Sequence, residues 1–164
     1  KVYEFPNPTH GVGRKYPFVT FNDVIQSLGD IEHNYVKYSE ERLKYMKLIP
    51  KGGGNWRDLN EQIVEKAMGG AYKSGGGKTG YFRRIKANEP SPTLLTSPIQ
   101  KSTNIGHPYE DRPLSIEEYI AIQGFPKGYK INGTINNKYT QIGNAVPVKL
   151  AKVLGEKLID ILYE

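Results

Sequence analysis

The chain is 164 residues long, carries 23 Lys and Arg against 17 Asp and Glu for a net charge of +6, and contains no cysteine. That length suits one domain, and the missing thiols exclude disulfides and thiolate zinc sites. The basic balance suits a polyanion, of which nucleic acid is the commonest, while no apolar run nears the ~20 residues that cross a bilayer and no signal peptide is visible.

Residues 1–19 hold three prolines and little periodicity, and read as a lead-in segment with a candidate strand end over Lys1 to Phe5. Phe21, Val24, Ile25 and Leu28 fall at i, i+3, i+4 and i+7, which predicts a helix from Thr20 with Gly29 as its cap. Ser39 with Glu40 and Glu41 opens a second helix, Leu43 and Met46 facing inward and Pro50 stopping it. A third is expected from Asn60 to Met68, closed by Gly69. Residues 51–110 are loop-rich, with three glycine clusters between short segments. Their expected strands are Tyr81 to Lys86 and Thr93 to Thr96. Ser115 and Glu118 form a capping box that starts a further helix, ended by Gly124 and Pro126. The last helix is expected from about Ala145 to Tyr163, with Asn144 as N-cap, Pro147 in the first turn, and Leu150, Ala151, Leu154, Leu158, Ile161 and Leu162 on one face.

Few residues carry chemistry on spacing alone. Gly77-Lys78-Thr79 is not a phosphate-binding loop, because Tyr72 stands where that motif needs its first glycine. His10, His33 and His107 have no metal-ligand spacing, and no nucleophile elbow or carboxylate pair stands out. No catalytic or metal-binding residue is assigned. In Tyr81-Phe82-Arg83-Arg84-Ile85-Lys86, strand alternation would send Arg83 and Arg84 to opposite faces. They are candidates for phosphate or guanine contact, or form a solvated edge. A threonine hydroxyl at Thr93, in rigid Pro90-Ser91-Pro92-Thr93-Leu94, can hold a phosphate, but on the residues alone a plain turn is the better reading.

Two blocks go further. Arg112-Pro113-Leu114-Ser115 with Glu118 and Gln123-Gly124-Phe125-Pro126 is followed by Gln141-Ile142-Gly143-Asn144-Ala145-Val146-Pro147. In order and spacing these resemble the last two motifs of DNA (cytosine-5) methyltransferases. Gly53 to Leu59 and Pro90 to Leu94 resemble pieces of that family's variable target-recognition region. The resemblance implies an α+β fold: a loop-rich recognition domain with short strands, then the helices of the last two motifs. It divides the chain into a lead-in from the catalytic domain (1–35), a recognition region (36–110) and a C-terminal motif region (111–164). It also implies S-adenosyl-L-methionine as cofactor in the assembled enzyme, with Gly143, Asn144, Ala145 and Val146 beside its methionine part. A helix N-terminus there would suit a carboxylate. Lys73, Lys78, Arg83, Arg84, Lys86 and Thr93 would meet double-stranded DNA. Arg112, Ser115, Glu118 and Gln141 would be structural.

In this family a cysteine attacks C6 of a flipped-out cytosine, and neither a Pro-Cys nor a Glu-Asn-Val segment occurs in this sequence. The resemblance therefore implies the DNA-reading, cofactor-pocket-completing C-terminal part of such an enzyme, inactive alone, that works with an N-terminal catalytic half in the setting of restriction and modification. The chain would begin where the recognition domain begins. In isolation it would pair through its last helix. A cytoplasmic, prokaryote-like, nucleoid-associated protein is expected. The alternatives are a non-catalytic DNA-binding remnant and an interaction module derived from such an enzyme.

Overall fold

The computed structural model describes residues 3–163; the Lys1 and Val2 part of the expected strand end lies outside them. Among the described residues there are six α-helices and two short 3₁₀ turns. The helices are α1 (Phe21–Leu28), α2 (Glu40–Met46), α3 (Glu61–Met68), α4 (Ile116–Ile122), α5 (Ile135–Asn144) and α6 (Val148–Tyr163). Local chemistry explains their starts. Thr20 and Asp23 bond reciprocally at α1, as do Ser115 and Glu118 at α4, satisfying amides that the first turn leaves free. Ser39 and Asn60 cap α2 and α3 with their side chains. Gly29 and Gly69 end α1 and α3 at φ of 70° and 57°, a region glycine enters without steric cost.

Two apolar cores result. The first gathers Phe21, Ile85, Leu94, Ile105, Leu114, Ile116, Tyr119, Tyr139 and Ile142, where α4 packs against α1 and α5. The second gathers Tyr38, Met46, Ile49, Leu59, Val64, Met68 and Phe82 around α2 and α3. The 82–85 segment passes from one core to the other. Burial of each large apolar side chain contributes ~1.5–3 kcal/mol.

The expected strands are absent among the described residues. Tyr81 to Lys86 and Thr93 to Thr96 are irregular, and only isolated bridges such as Arg84–Gly106 and Gly80–Thr103 occur. Phe82 takes φ +43°, which breaks the pleat, and both Arg84 and Ile85 are buried where alternation would separate them. The last helix also differs. Residues 135–144 form a helix of their own, capped by Thr134, and Asn144 is its final residue rather than an N-cap. The chain turns through Ala145, Val146 and Pro147 before α6 begins at Val148. The carbonyl end of α5, not a helix N-terminus, therefore lies at Asn144.

Candidate functional site

Arg112, Ser115 and Glu118 build the scaffold. The Arg112 guanidinium donates to Glu118 through both terminal nitrogens (3.0 and 2.8 Å), to Glu110 through Nε and Nη2 (2.9 and 3.0 Å), and to the Pro113 carbonyl (3.1 Å). All five of its N–H groups are committed. Glu118, fully buried, also accepts from the Ser115 amide at 2.6 Å. One carboxylate thus completes the α4 cap and anchors the arginine. His107 joins from the other side. Its Nδ1 accepts from the backbone amides of Tyr109 and Glu110 (3.2 and 3.0 Å). The proton of the neutral ring is thereby assigned to Nε2, 3.4 Å from Glu118 Oε1. Burial pushes the His107 pKa down to about 4, against the pull of Glu118.

Arg84 is a second hub. It donates from Nε to the Ile49 carbonyl (3.1 Å), from Nη1 to those of His107 (3.0 Å) and Glu110 (2.6 Å), and from Nη2 to that of Met46 (2.7 Å) and to the Asp111 carboxylate. With 1% exposure and no donor left, it has nothing to offer a phosphate. The expected DNA contact at Arg84 is corrected to a tie between the end of α2 and the 107–111 loop.

Arg83 is placed differently. It is half-buried, its Nε has no hydrogen-bond partner, and no carboxylate pairs with it among the described residues. Burial lowers its pKa, the mark of a cation lacking a counter-charge. Thr93 is exposed, and among the described residues no hydrogen bond holds its hydroxyl. Lys73 and Lys86 are exposed and paired with Glu65 (2.8 Å) and Glu89 (2.7 Å). Lys78 turns inward to the Tyr72 carbonyl, and its own carbonyl accepts the Trp56 indole N–H at 2.7 Å. Lys78 therefore shapes the glycine-rich loop.

The 143–146 turn is held from two sides. Gln123 donates through Nε2 to the carbonyls of Ile142 (2.9 Å) and Ala145 (3.0 Å), and its carbonyl accepts from the Val148 amide (2.9 Å). It thus joins the end of α4, the end of α5 and the start of α6. Gly143 lies against the 95–96 backbone: a Cβ there would stand 2.5 Å from the Leu95 carbonyl oxygen and 2.7 Å from the Thr96 nitrogen. Only glycine fits so close an approach. Asn144 and Val146 are exposed, Ala145 is half-buried, and Gln141 reaches back to the Asn132 carbonyl (2.9 Å).

Residues 4–160 match the C-5 cytosine-specific DNA methylase family. The chain belongs to that family. It is 50% identical to the type II methyltransferase M.Sau96I of Staphylococcus aureus, over 77% of this chain and 29% of that protein. With M.PspPI of Psychrobacter it shares 43% identity over 98% of this chain and 38% of that protein. It is also 36% identical to Arabidopsis thaliana DNA (cytosine-5)-methyltransferase 3, over 80% of this chain and 10% of that protein. A crystal structure described as an Escherichia coli prophage DNA modification methyltransferase shares the fold at TM-score 0.50 and 22% identity, over 92% of this chain and 49% of that one. The chain thus spans well under half of the bacterial methyltransferases it matches in sequence.

Within this chain, the structure brings the Arg112, Ser115 and Glu118 set together around one carboxylate and brings the 143–146 turn against the segment after Thr93. It does not unite Arg83 with Arg84. Two positions carry more than sequence reasoning assigned them. Gln123 clamps the turn, and its signal was its place in the Gln-Gly-Phe-Pro block. Gly143 is a contact glycine, whereas the sequence suggested only a cofactor-side turn. Among the described residues no three His, Cys, Asp or Glu side chains gather as a metal site, and no helix is long and apolar enough to cross a membrane.

Proposed function

We propose that this chain is the DNA-reading and cofactor-pocket-completing part of a cytosine-5 DNA methyltransferase. The observation that carries the reading is the contact of Gly143 with the Leu95–Thr96 backbone. It makes neighbours of the segment bearing exposed Thr93 and the turn bearing exposed Asn144. Arg83, Thr93, Lys73 and Lys86 face double-stranded DNA in this reading. The lysines exchange weak surface carboxylate pairs for phosphates at little cost, while Lys78 acts through the loop it holds. Asn144 offers a carboxamide that both donates and accepts, with Val146 as an apolar neighbour, and Gly143 and Ala145 set the turn. Those groups fit the polar edge of a ligand through its ammonium end, which the carbonyls at the end of α5 favour because they carry negative partial charge; Gln123 occupies the Ile142 and Ala145 carbonyls. When bound, S-adenosyl-L-methionine supplies the methyl group; the residues here orient and enclose it.

Methyl transfer needs a nucleophile that this sequence does not hold, since it has no cysteine. The partner in this reading is a catalytic half bearing that thiol. α6 has no buried residue, with Leu150 and Leu158 about half-exposed and Leu162 76% exposed, and Phe5 and Val12 in the lead-in segment are also open. Such apolar faces suit a protein interface. In an assembled enzyme, Asn144→Ala should raise the KM for S-adenosyl-L-methionine several-fold and leave that for DNA unchanged. An equal change in both, or in neither, contradicts the assignment.

A further inference from the structure

A cavity of about 270 Å³ opens between α2, the end of α3 and the Tyr81–Phe82 turn. It is separate from the Asn144 turn, and no motif identified in the sequence accounts for it. Sites for drug-sized ligands start near ~300 Å³, so this one suits a single flat ring system. Its walls are aromatic: Tyr38, Tyr45 and Phe82 line it, with Tyr45 and Phe82 meeting edge to face at 5.8 Å. Phe82 is held at φ +43°, a conformation that costs a bulky residue free energy and is retained where surroundings enforce it.

Two charged groups stand at the same place. The Arg42 guanidinium lies 5.9 Å from the Tyr38 ring centre and 5.8 Å from that of Phe82. It donates one N–H to the Ile99 carbonyl and meets no carboxylate among the described residues, so four donors remain uncommitted. Glu41, on the preceding position of α2, is exposed at the rim and unpaired among the described residues. The Tyr38 hydroxyl is buried behind this wall on the side of Asn104, and burial raises its pKa to about 12, so the ring stands neutral.

The combination selects a ligand class. Aromatic walls stack a planar ring. A lone phosphate would be attracted by Arg42 and Lys101 but repelled by Glu41. A base that presents acceptors on one edge and donors on the adjoining edge satisfies Arg42 and Glu41, two successive lining positions of α2, together. Guanine does this best, since O6 and N7 accept from an arginine while N1 and N2 donate to a carboxylate. The cavity is chain-adjacent to Arg83, which follows Phe82 directly.

We propose that this cavity receives one unstacked guanine of the bound DNA. The inference rests on the DNA-reading function, and its test separates the two. Affinities are measured for three duplexes of one sequence: fully paired, with one guanine opposite an abasic site, and with one thymine opposite an abasic site. The unpaired-guanine duplex is expected to bind about tenfold tighter than the paired one, as one good bidentate contact allows, with thymine well behind. Arg42→Gln should bring that ratio near one. Glu41→Gln, on an exposed position that cannot disturb the core, should reduce it as well. Equal binding of paired and unpaired-guanine duplexes overturns the cavity and leaves DNA reading intact. A preference that survives both substitutions overturns it too. Absence of binding to all three duplexes overturns the DNA-reading function and this inference with it.

Discussion

Removing the Arg84 guanidinium would leave the Ile49, His107 and Glu110 carbonyls without their donor inside the fold, with the Met46 carbonyl held only by the Ile49 amide and Asp111 only by Lys51. Arg84→Ala should therefore destabilise by about 3–5 kcal/mol, the scale for breaking a buried pair. A urea midpoint would show it, and DNA affinity of the folded fraction should follow only the loss of fold. Arg83→Ala is expected to do the reverse. The melting temperature should stay put, because no internal bond is lost, while duplex affinity falls and the salt slope drops by ~0.9 for one phosphate contact given up. An unchanged slope would remove Arg83 from the interface. The two neighbours could not be told apart from sequence. The acceptors that bury Arg84 come from residues 46, 49, 107, 110 and 111, and no local pattern joins those positions.

At the scale of elements, the α4 cap and its arginine respond to pH through His107. Its pKa in the fold is about 4 against an ordinary 6.5, so the unfolded chain binds the extra proton between those values. Stability is therefore full above pH 6.5 and declines as pH falls toward 4. Glu110 and Asp111, held below their ordinary values, add their loss only below about 4.5. Melting temperatures at pH 7 and 5 should differ in the native protein, and His107→Gln should flatten that interval. A further expectation concerns Gly143. Gly143→Ala must displace the 95–96 backbone and should raise KM for both DNA and cofactor in an assembled enzyme, whereas Asn144→Ala affects the cofactor alone. The helices with caps at Ser39, Asn60 and Ser115 were legible because a cap is a local signal. α5 was not, since its buried face is only Tyr139 and Ile142 amid Asn, Lys, Thr and Gln, too sparse for a period of 3.6. The Tyr81 to Lys86 strand failed because a positive φ at Phe82 is enforced by packing, and aromatic residues otherwise favour strands.

For the whole molecule, the open faces of α6 and the lead-in segment dominate behaviour in isolation. Each leucine left in water forgoes ~1.5–3 kcal/mol of burial, so the purified chain should self-associate through α6. Light scattering should report dimers or larger species, and Leu154→Glu with Leu158→Glu should shift them to monomer. A monomer before the change would contradict this. The family resemblance was legible in the 112–126 and 141–147 blocks, and the match over residues 4–160 agrees with it. How those blocks are joined, through Gln123 and Gly143, needed the fold. The most direct test of the central claim is methyl transfer from labelled S-adenosyl-L-methionine to duplex DNA. It would be assayed with the chain alone and with a catalytic half that carries the Pro-Cys loop. The account predicts no incorporation by the chain alone and labelled 5-methylcytosine when the two are mixed. Incorporation by the chain alone would contradict it.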